Sequence, residues 1–121
     1  PPCWCIYMLG LVLHWLEEKG GVEGMEAIKH GKARMLYDTI DASRLFTCAV
    51  EKDSRSDMNV VFRTASEELD AKFVKESVDA GFTNLKGHRS VGGMRASIYN
   101  AMPVEGVEKL CDFIRAFDKN N

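Results

Sequence analysis

Residues 3–16 are apolar except for Gly10 and His14, and this run constrains the fold more than any other part of the 121-residue chain. The run predicts a helix that is apolar on nearly every side. Such a helix has no solvated face, and it is typical of a segment buried between layers of a larger protein. A single domain of this length cannot easily surround it. We therefore expect the chain, which begins with Pro1 and not with a methionine, to be cut from something longer.

The same run lacks the properties of a membrane segment. A spanning helix needs about twenty apolar residues, whereas this one is closed by Glu17-Glu18-Lys19. A signal peptide has a basic start and small residues at its cleavage point, but this chain starts with Pro1-Pro2. The sequence therefore predicts no membrane partner. The net charge of −2 argues against nucleic acid as a partner, because a general nucleic-acid binder needs a broad basic face.

The cysteines Cys3, Cys5, Cys48 and Cys111 do not have the spacing of a metal or redox site. Zinc sites and redox motifs use cysteines separated by two residues, so we expect no metal. Disulfides are rare in the cytosol, and reduced thiols in a cytoplasmic protein are the expected state. The apolar neighbours of Cys3 and Cys5 predict that both are buried as small hydrophobic residues.

The pattern after Gly20-Gly21 predicts an amphipathic helix from Val22 to about Ala42, with the two glycines ending the first helix. The expected buried stripe consists of Val22, Met25, Ile28, Met35, Leu36 and Ile40. The opposite face is expected to be solvated charge and consists of Glu23, Glu26, Lys29, Lys32 and Arg34.

Two more helices are predicted in the second half of the chain. Thr64 and Glu67 have the spacing of a capping box, and the helix that they open runs to Ala80 before Gly81 ends it. The last helix begins at Pro103. The expected buried residues are Leu69, Phe73, Val74 and Val78 in the first, and Val104, Val107, Leu110, Cys111, Ile114 and Phe117 in the second.

Four short segments have the length and composition of strands, at residues 45–50, 58–62, 82–85 and 94–99. We expect them to form a small, mostly antiparallel sheet with the helices packed on one face. The predicted fold class is therefore a two-layer α+β unit.

The segment Lys86–Ser97 places two arginines and a histidine in a frame of three glycines. Arginine offers a rigid fork of donors that matches carboxylate or phosphate oxygens, and histidine adds a donor whose charge responds to its ligand. Glycine lets the backbone approach a ligand closely. The residues themselves leave two interpretations open, an anion-binding loop or a connection between strands that carries solvated charges.

A longer run, Leu85–Pro103 with the sequence LKGHRSVGGMRASIYNAMP, resembles the signature of the phosphoserine aminotransferases. Shorter similarities cover nearly the whole chain and correspond to the C-terminal third of that family. Val61 departs from the resemblance, because the family usually has a proline there. The shorter similar segments are Pro1-Pro2, Gly10-Leu11-Val12, Gly20-Gly21, Arg55–Val60 and Glu105-Gly106-Val107.

The resemblance implies the small C-terminal domain of a fold-type I enzyme that depends on pyridoxal 5'-phosphate. Residues 1–20 would form the apolar helix leaving a large cofactor-binding domain, and residues 21–121 would form the small domain. The Schiff-base lysine would belong to the large domain, so the segment alone is expected to be inactive. The resemblance also implies a homodimer for the full-length enzyme.

The resemblance further implies that His88 and Arg89 recognise phosphate and that Arg95 binds the substrate α-carboxylate. No catalytic and no cofactor-binding residue is expected in this segment. The implied reaction, in serine biosynthesis, exchanges an amino group between O-phospho-L-serine with 2-oxoglutarate and 3-phosphohydroxypyruvate with L-glutamate.

Two alternatives stay open. An aminotransferase of the alanine–glyoxylate or serine–glyoxylate type would keep an arginine for the carboxylate but would not need the His88-Arg89 pair. A stand-alone, non-catalytic anion-binding module would use the same loop to bind a phosphorylated metabolite or partner.

Overall fold

A computed structural model describes residues 1–121 as four α-helices around a two-stranded sheet. The elements follow the chain in the order helix, helix, strand, helix, strand, helix, with one 3₁₀ turn at Lys52–Ser54. Their bounds are α1 Cys3–Glu18, α2 Gly21–Asp41, β1 Asn59–Phe62, α3 Glu67–Asp79, β2 Met94–Ser97 and α4 Val104–Asn120.

The sheet consists of β1 and β2 in antiparallel pairing, with Asn59 opposite Ser97 and Phe62 opposite Met94. Alternate residues of each strand are buried, so one face of the sheet lies on the core. The other face, which carries Arg95, is half-buried. The predicted α+β class with helices on one side of a small antiparallel sheet is confirmed.

The predicted strands at residues 45–50 and 82–85 are wrong. The first contributes only one isolated bridge, Thr47 with Arg63, and the second contributes none, since the bridge to Met94 lies just beyond it at Lys86. The backbone N–H groups of Leu45 and Phe46 donate to side-chain oxygens instead of to a neighbouring strand. In the second segment Asn84 has a φ of 60°, which breaks the extended backbone that a strand requires.

The core lies between the sheet and helices α2 and α4, and it contains 17 buried residues. Phe73 of α3 sits at its centre, with ring centroids 4.9 Å from Phe46 and 5.1 Å from Phe117. Both pairs have the steep interplanar angles that aromatic rings prefer. This aromatic cluster links α3 and α4 to the extended segment before β1.

The prediction for α2 is correct in its bounds and wrong in part of its orientation. Lys32, expected to be solvated, is only 1% exposed. Val22 and Ile28, expected to be buried, are 86% and 36% exposed. The buried stripe instead runs through Met25, Lys32, Ala33, Leu36, Tyr37, Thr39 and Ile40.

The predicted capping box of α3 is also wrong. The N-cap is Ser66, whose hydroxyl accepts a hydrogen bond from the Leu69 N–H at 3.2 Å. The Thr64 hydroxyl donates within its own turn, to the Ser66 carbonyl or to Asp70. The buried face passes through Asp70, Phe73 and Ser77, so Val78, predicted as buried, is 59% exposed.

Helix α1 has no buried residue. Its aromatic and aliphatic side chains are exposed, with Trp4 at 71% and Ile6 at 60%, and among the helices and strands it packs mainly against α2. Cys3 and Cys5 are exposed, so the expectation of their burial is wrong within this chain, although all four thiols are free as predicted. No helix combines the length and the apolar composition needed to cross a membrane.

Candidate anion-binding site

The glycine-framed segment forms a closed loop between residues 86 and 94, called the anion loop below. Its neck is held by the Gly87 N–H, which donates to the Gly93 carbonyl at 2.8 Å, and by the Arg95 N–H, which donates to the Leu85 carbonyl at 2.8 Å. A Cβ atom on Gly87 would overlap the carbonyl oxygen of Gly92. Gly93 has a φ of 63°, and a Cβ there would lie 2.7 Å from the Phe62 carbonyl oxygen. Only glycine fits this neck.

The tip of the loop presents His88 and Arg89 to solvent. The His88 carbonyl accepts hydrogen bonds from the N–H groups of Val91 and Gly92, at 2.9 and 2.8 Å. The Ser90 N–H donates to His88 Nδ1 at 3.3 Å, and the Ser90 hydroxyl lies 2.7 Å from the same atom. Because Nδ1 is the acceptor, the neutral ring carries its proton on Nε2. Neither His88 nor Arg89 takes part in an ion pair, so both keep free donors.

The anion loop and one side of α3 line an open groove of about 900 Å³, called the α3 groove below. Basic side chains outnumber acidic ones along it. The basic residues are Arg63, Lys75, Lys86, His88 and Arg89, and the acidic residues are Glu67, Asp70 and Asp79. Asp70 already accepts from the Thr64 N–H at 2.7 Å, so it is less available to oppose an anion.

Arg95 lies on β2 opposite Val61 and is half-buried. Its Nε atom is buried and has no hydrogen-bond partner. A buried donor without an acceptor costs about 1–3 kcal/mol. A bound anion would supply the missing acceptor for this guanidinium. Arg95 borders a separate cavity of about 660 Å³ together with Ser97, Tyr99 and Lys109. Within this chain the three predicted site residues therefore share one hairpin but line two cavities.

The loop after β2 is held by a buried lysine that the sequence reading missed. Lys32 Nζ donates to the carbonyl oxygens of Tyr99, Asn100 and Met102, at 2.8, 3.3 and 2.9 Å. Burial lowers the pKa of Lys32. Its spacing, seven residues after Met25 and four before Leu36, is the signal that could have placed it on the buried stripe.

The one buried lysine of this chain is engaged within the fold. A Schiff-base lysine needs a free amine within reach of the cofactor. Lys32 is the only buried lysine, and its ammonium donates to three backbone carbonyls. No group of three or more metal-binding side chains is present either.

A second polar cluster ties α2 to the segment before β1. Arg55 donates to both carboxylate oxygens of Asp41, at 2.8 and 2.7 Å, and its guanidinium lies 4.6 Å from the centre of the Tyr37 ring. The hydrogen bonds from Arg55 lower the pKa of Asp41. The Tyr37 hydroxyl donates to the Ser56 carbonyl at 2.9 Å. Both terminal nitrogens of Arg55 are paired with Asp41, although its buried Nε has no hydrogen-bond partner, and these contacts hold α2 to the segment before β1.

Comparison with known proteins matches this chain to one family. The family described as aminotransferase class-V matches residues 1–110. The chain is 55% identical over 122 aligned residues to the phosphoserine aminotransferase of Lactococcus lactis subsp. cremoris, and the match covers 100% of this chain and 33% of that protein. The chain thus spans about a third of the length of the curated relatives that it matches.

Solved structures give the same likeness. The phosphoserine aminotransferase from Bacillus circulans subsp. alkalophilus superposes with a TM-score of 0.96 at 53% identity, over 99% of this chain and 34% of that one. The pyridoxal-phosphate-bound phosphoserine aminotransferase from Trichomonas vaginalis gives a TM-score of 0.88 at 38% identity, over 95% of this chain and 33% of that one.

Proposed function

Because the chain belongs to the class-V aminotransferase family, we propose that it supplies the substrate-binding domain of a phosphoserine aminotransferase. The observation that carries the proposal is the hairpin 85–97, which holds His88 and Arg89 with unpaired donors and Arg95 with a buried, unpaired Nε. The proposed reaction exchanges the amino group of O-phospho-L-serine with 2-oxoglutarate, giving 3-phosphohydroxypyruvate and L-glutamate.

We propose a division of work between the two ends of this hairpin. His88 Nε2–H and the Arg89 guanidinium bind the substrate phosphate, because charge-assisted hydrogen bonds to an anion are about twice as strong as neutral ones. Arg95, fixed on a strand, binds the α-carboxylate and so orients the reacting carbon. The anion loop presents His88 and Arg89 at an exposed tip, whereas Arg95 is held by the sheet. Specificity for phosphate then comes from the loop and orientation from the strand.

The remaining parts of the enzyme follow from the same proposal. Pyridoxal phosphate and its lysine belong to the rest of the full-length chain, and the one buried lysine here, Lys32, already donates to three backbone carbonyls. Residues 1–20 form the connecting helix and residues 21–121 the small domain. The exposed apolar side chains of α1 are then covered by the large domain or by the partner in a homodimer. The free thiols agree with a cytoplasmic enzyme.

The test compares O-phospho-L-serine with L-serine, which lacks only the phosphate, as amino donors for the full-length holoenzyme. Replacing His88 with alanine removes a charge-assisted hydrogen bond, so we expect kcat/KM for phosphoserine to fall at least about tenfold. L-Serine should be affected less than about twofold. Arg95→Ala should lower kcat/KM for both donors, because both carry the α-carboxylate.

Two results would contradict the proposal. Equal losses for both donors in the His88→Ala variant would remove phosphate recognition from the loop. Absence of any transamination in the wild-type holoenzyme, with phosphate still bound, would favour the non-catalytic anion-binding module.

A further inference from the structure

We propose that Arg63 is a positioning residue that braces the anion loop and thereby sets the preference for a phosphorylated substrate; this inference rests on the proposed function. Arg63 follows β1 directly and was not distinguished by any sequence motif. Its Nη2 donates to the Val91 carbonyl at the tip of the loop, at 3.0 Å.

The backbone of Arg63, directly after β1, is fixed by an isolated bridge to Thr47. Its N–H donates to the Thr47 carbonyl at 2.9 Å, and its carbonyl accepts from the Thr47 N–H at 2.8 Å. The side chain therefore starts from a rigid position and spans the gap to the loop. A residue anchored in this way loses little further freedom when its guanidinium makes a hydrogen bond.

The tip of the anion loop has no other hydrogen bond to the rest of the protein. Residues 88–92 bond among themselves, through the His88 carbonyl and through the contacts of Ser90 with His88. The neck bond between Gly87 and Gly93 closes the loop without reaching its tip. The hydrogen bond from Arg63 to Val91 is thus the one that ties the tip, with His88 and Arg89, to the sheet.

The packing of Gly92 and Gly93 explains how the Arg63 side chain comes so close to the backbone of the anion loop. A Cβ on Gly93 would lie 3.0 Å from Arg63 Cβ, and a Cβ on Gly92 would lie 3.4 Å from Arg63 Nη2. Both glycines have positive φ, so the loop turns its backbone, and not a side chain, toward Arg63. Arg63 also adds a positive charge to the α3 groove beside His88 and Arg89.

Two variants separate the hydrogen bond from the charge. Arg63→Gln removes the charge and shortens the side chain, while Arg63→Lys keeps the charge but loses the fork that reaches Val91. Arg44→Gln is the matched control, because Arg44 Nη2 donates to the Asp118 carbonyl at 2.7 Å and lies outside the α3 groove. The readouts are kcat/KM for O-phospho-L-serine and L-serine in the full-length holoenzyme, and amide hydrogen exchange of residues 88–92.

With Arg63→Gln we expect kcat/KM for phosphoserine to fall about tenfold, the equivalent of one charge-assisted hydrogen bond. L-Serine should change less than about twofold, and amides of residues 88–92 should exchange faster while those of α4 do not. Arg63→Lys should keep the faster exchange, and Arg44→Gln should leave both readouts unchanged. Unchanged exchange and unchanged substrate preference in Arg63→Gln would overturn the inference. Full restoration of both readouts by lysine would equally overturn it, since the charge alone would then suffice.

These readouts also separate this inference from the proposed function. If the wild-type holoenzyme does not use phosphoserine, the proposed function fails, and hydrogen exchange alone still decides whether Arg63 braces the loop. If phosphoserine is used and only the Arg63 results are negative, the inference fails while the proposed function stands.

Discussion

Replacing Lys32 with methionine tests whether the buried ammonium holds the loop between β2 and α4. Methionine has nearly the same length and volume, so it fills the site without a cavity. It cannot donate to the carbonyls of Tyr99, Asn100 and Met102, which Lys32 contacts at 2.8 to 3.3 Å. Any loss of stability therefore reports the hydrogen bonds and not the packing.

The expected loss of stability follows from the cost of the unpaired carbonyls and from two effects that reduce this cost. Each buried carbonyl left without a donor costs about 1–3 kcal/mol. Tyr99 and Met102 are 53% and 40% exposed, so water can reach part of this loop and the cost per carbonyl lies near the lower value. The variant also avoids the desolvation of an ammonium group, which offsets part of the loss. We expect a net loss of about 2–3 kcal/mol in the free energy of unfolding.

Urea unfolding of the wild type and two variants provides the assay. Lys29→Met is the matched control, because Lys29 lies one turn away on α2 and makes only a long contact of 3.9 Å with Asp57. Its loss should stay below about 1 kcal/mol. A Lys32→Met variant as stable as the control would refute the reasoning, because the carbonyls of the loop would then be satisfied without the ammonium.

Two further predictions concern the neck of the anion loop and the Arg55–Asp41 cluster. Gly93→Ala should destabilise the protein by about 1–3 kcal/mol and weaken phosphoserine binding, because φ is 63° and the new Cβ would meet backbone; an unchanged urea midpoint would contradict this. Arg55→Gln should cost about 1 kcal/mol at neutral pH, discounted for the partial exposure of Asp41. Because Arg55 lowers the pKa of Asp41 in the folded state, this contribution is present above the unfolded pKa and disappears as pH falls through the lower folded pKa. The stability gap between wild type and Arg55→Gln should therefore close below about pH 4, and a gap independent of pH would disprove the pairing.

The helices could be predicted from the sequence because their apolar periodicity is strong. The predicted start and end of α2 and the predicted start of α4 each lie within one residue of the observed bounds. Lys32 was predicted on the wrong face, because a pattern of apolar residues treats every lysine as solvated, although its spacing from Met25 and Leu36 fits the buried stripe. The carbonyls that pair with its ammonium lie in a loop 67 to 70 residues away. No local sequence pattern reveals these hydrogen-bond partners.

The strands were harder, because competing side chains decide whether a short apolar run joins a sheet. The Leu45 N–H donates to both Asp118 and Ser43, and the Phe46 N–H donates to Ser43. The segment therefore has the composition of a strand without its ladder. Arg95 was correctly placed on a strand, and the proximity of His88 and Arg89 at one loop tip follows from their adjacency. The contact of Arg63 with Val91 spans 28 residues and has no sequence signature.

The central claim is that this chain selects a phosphorylated amino acid for transamination. The most direct test measures glutamate formation by the full-length holoenzyme from 2-oxoglutarate with O-phospho-L-serine, beside reactions of L-alanine and L-serine with glyoxylate. The account predicts that phosphoserine is used far more efficiently than either unphosphorylated donor. Efficient use of alanine or serine with glyoxylate, without preference for phosphoserine, would contradict it.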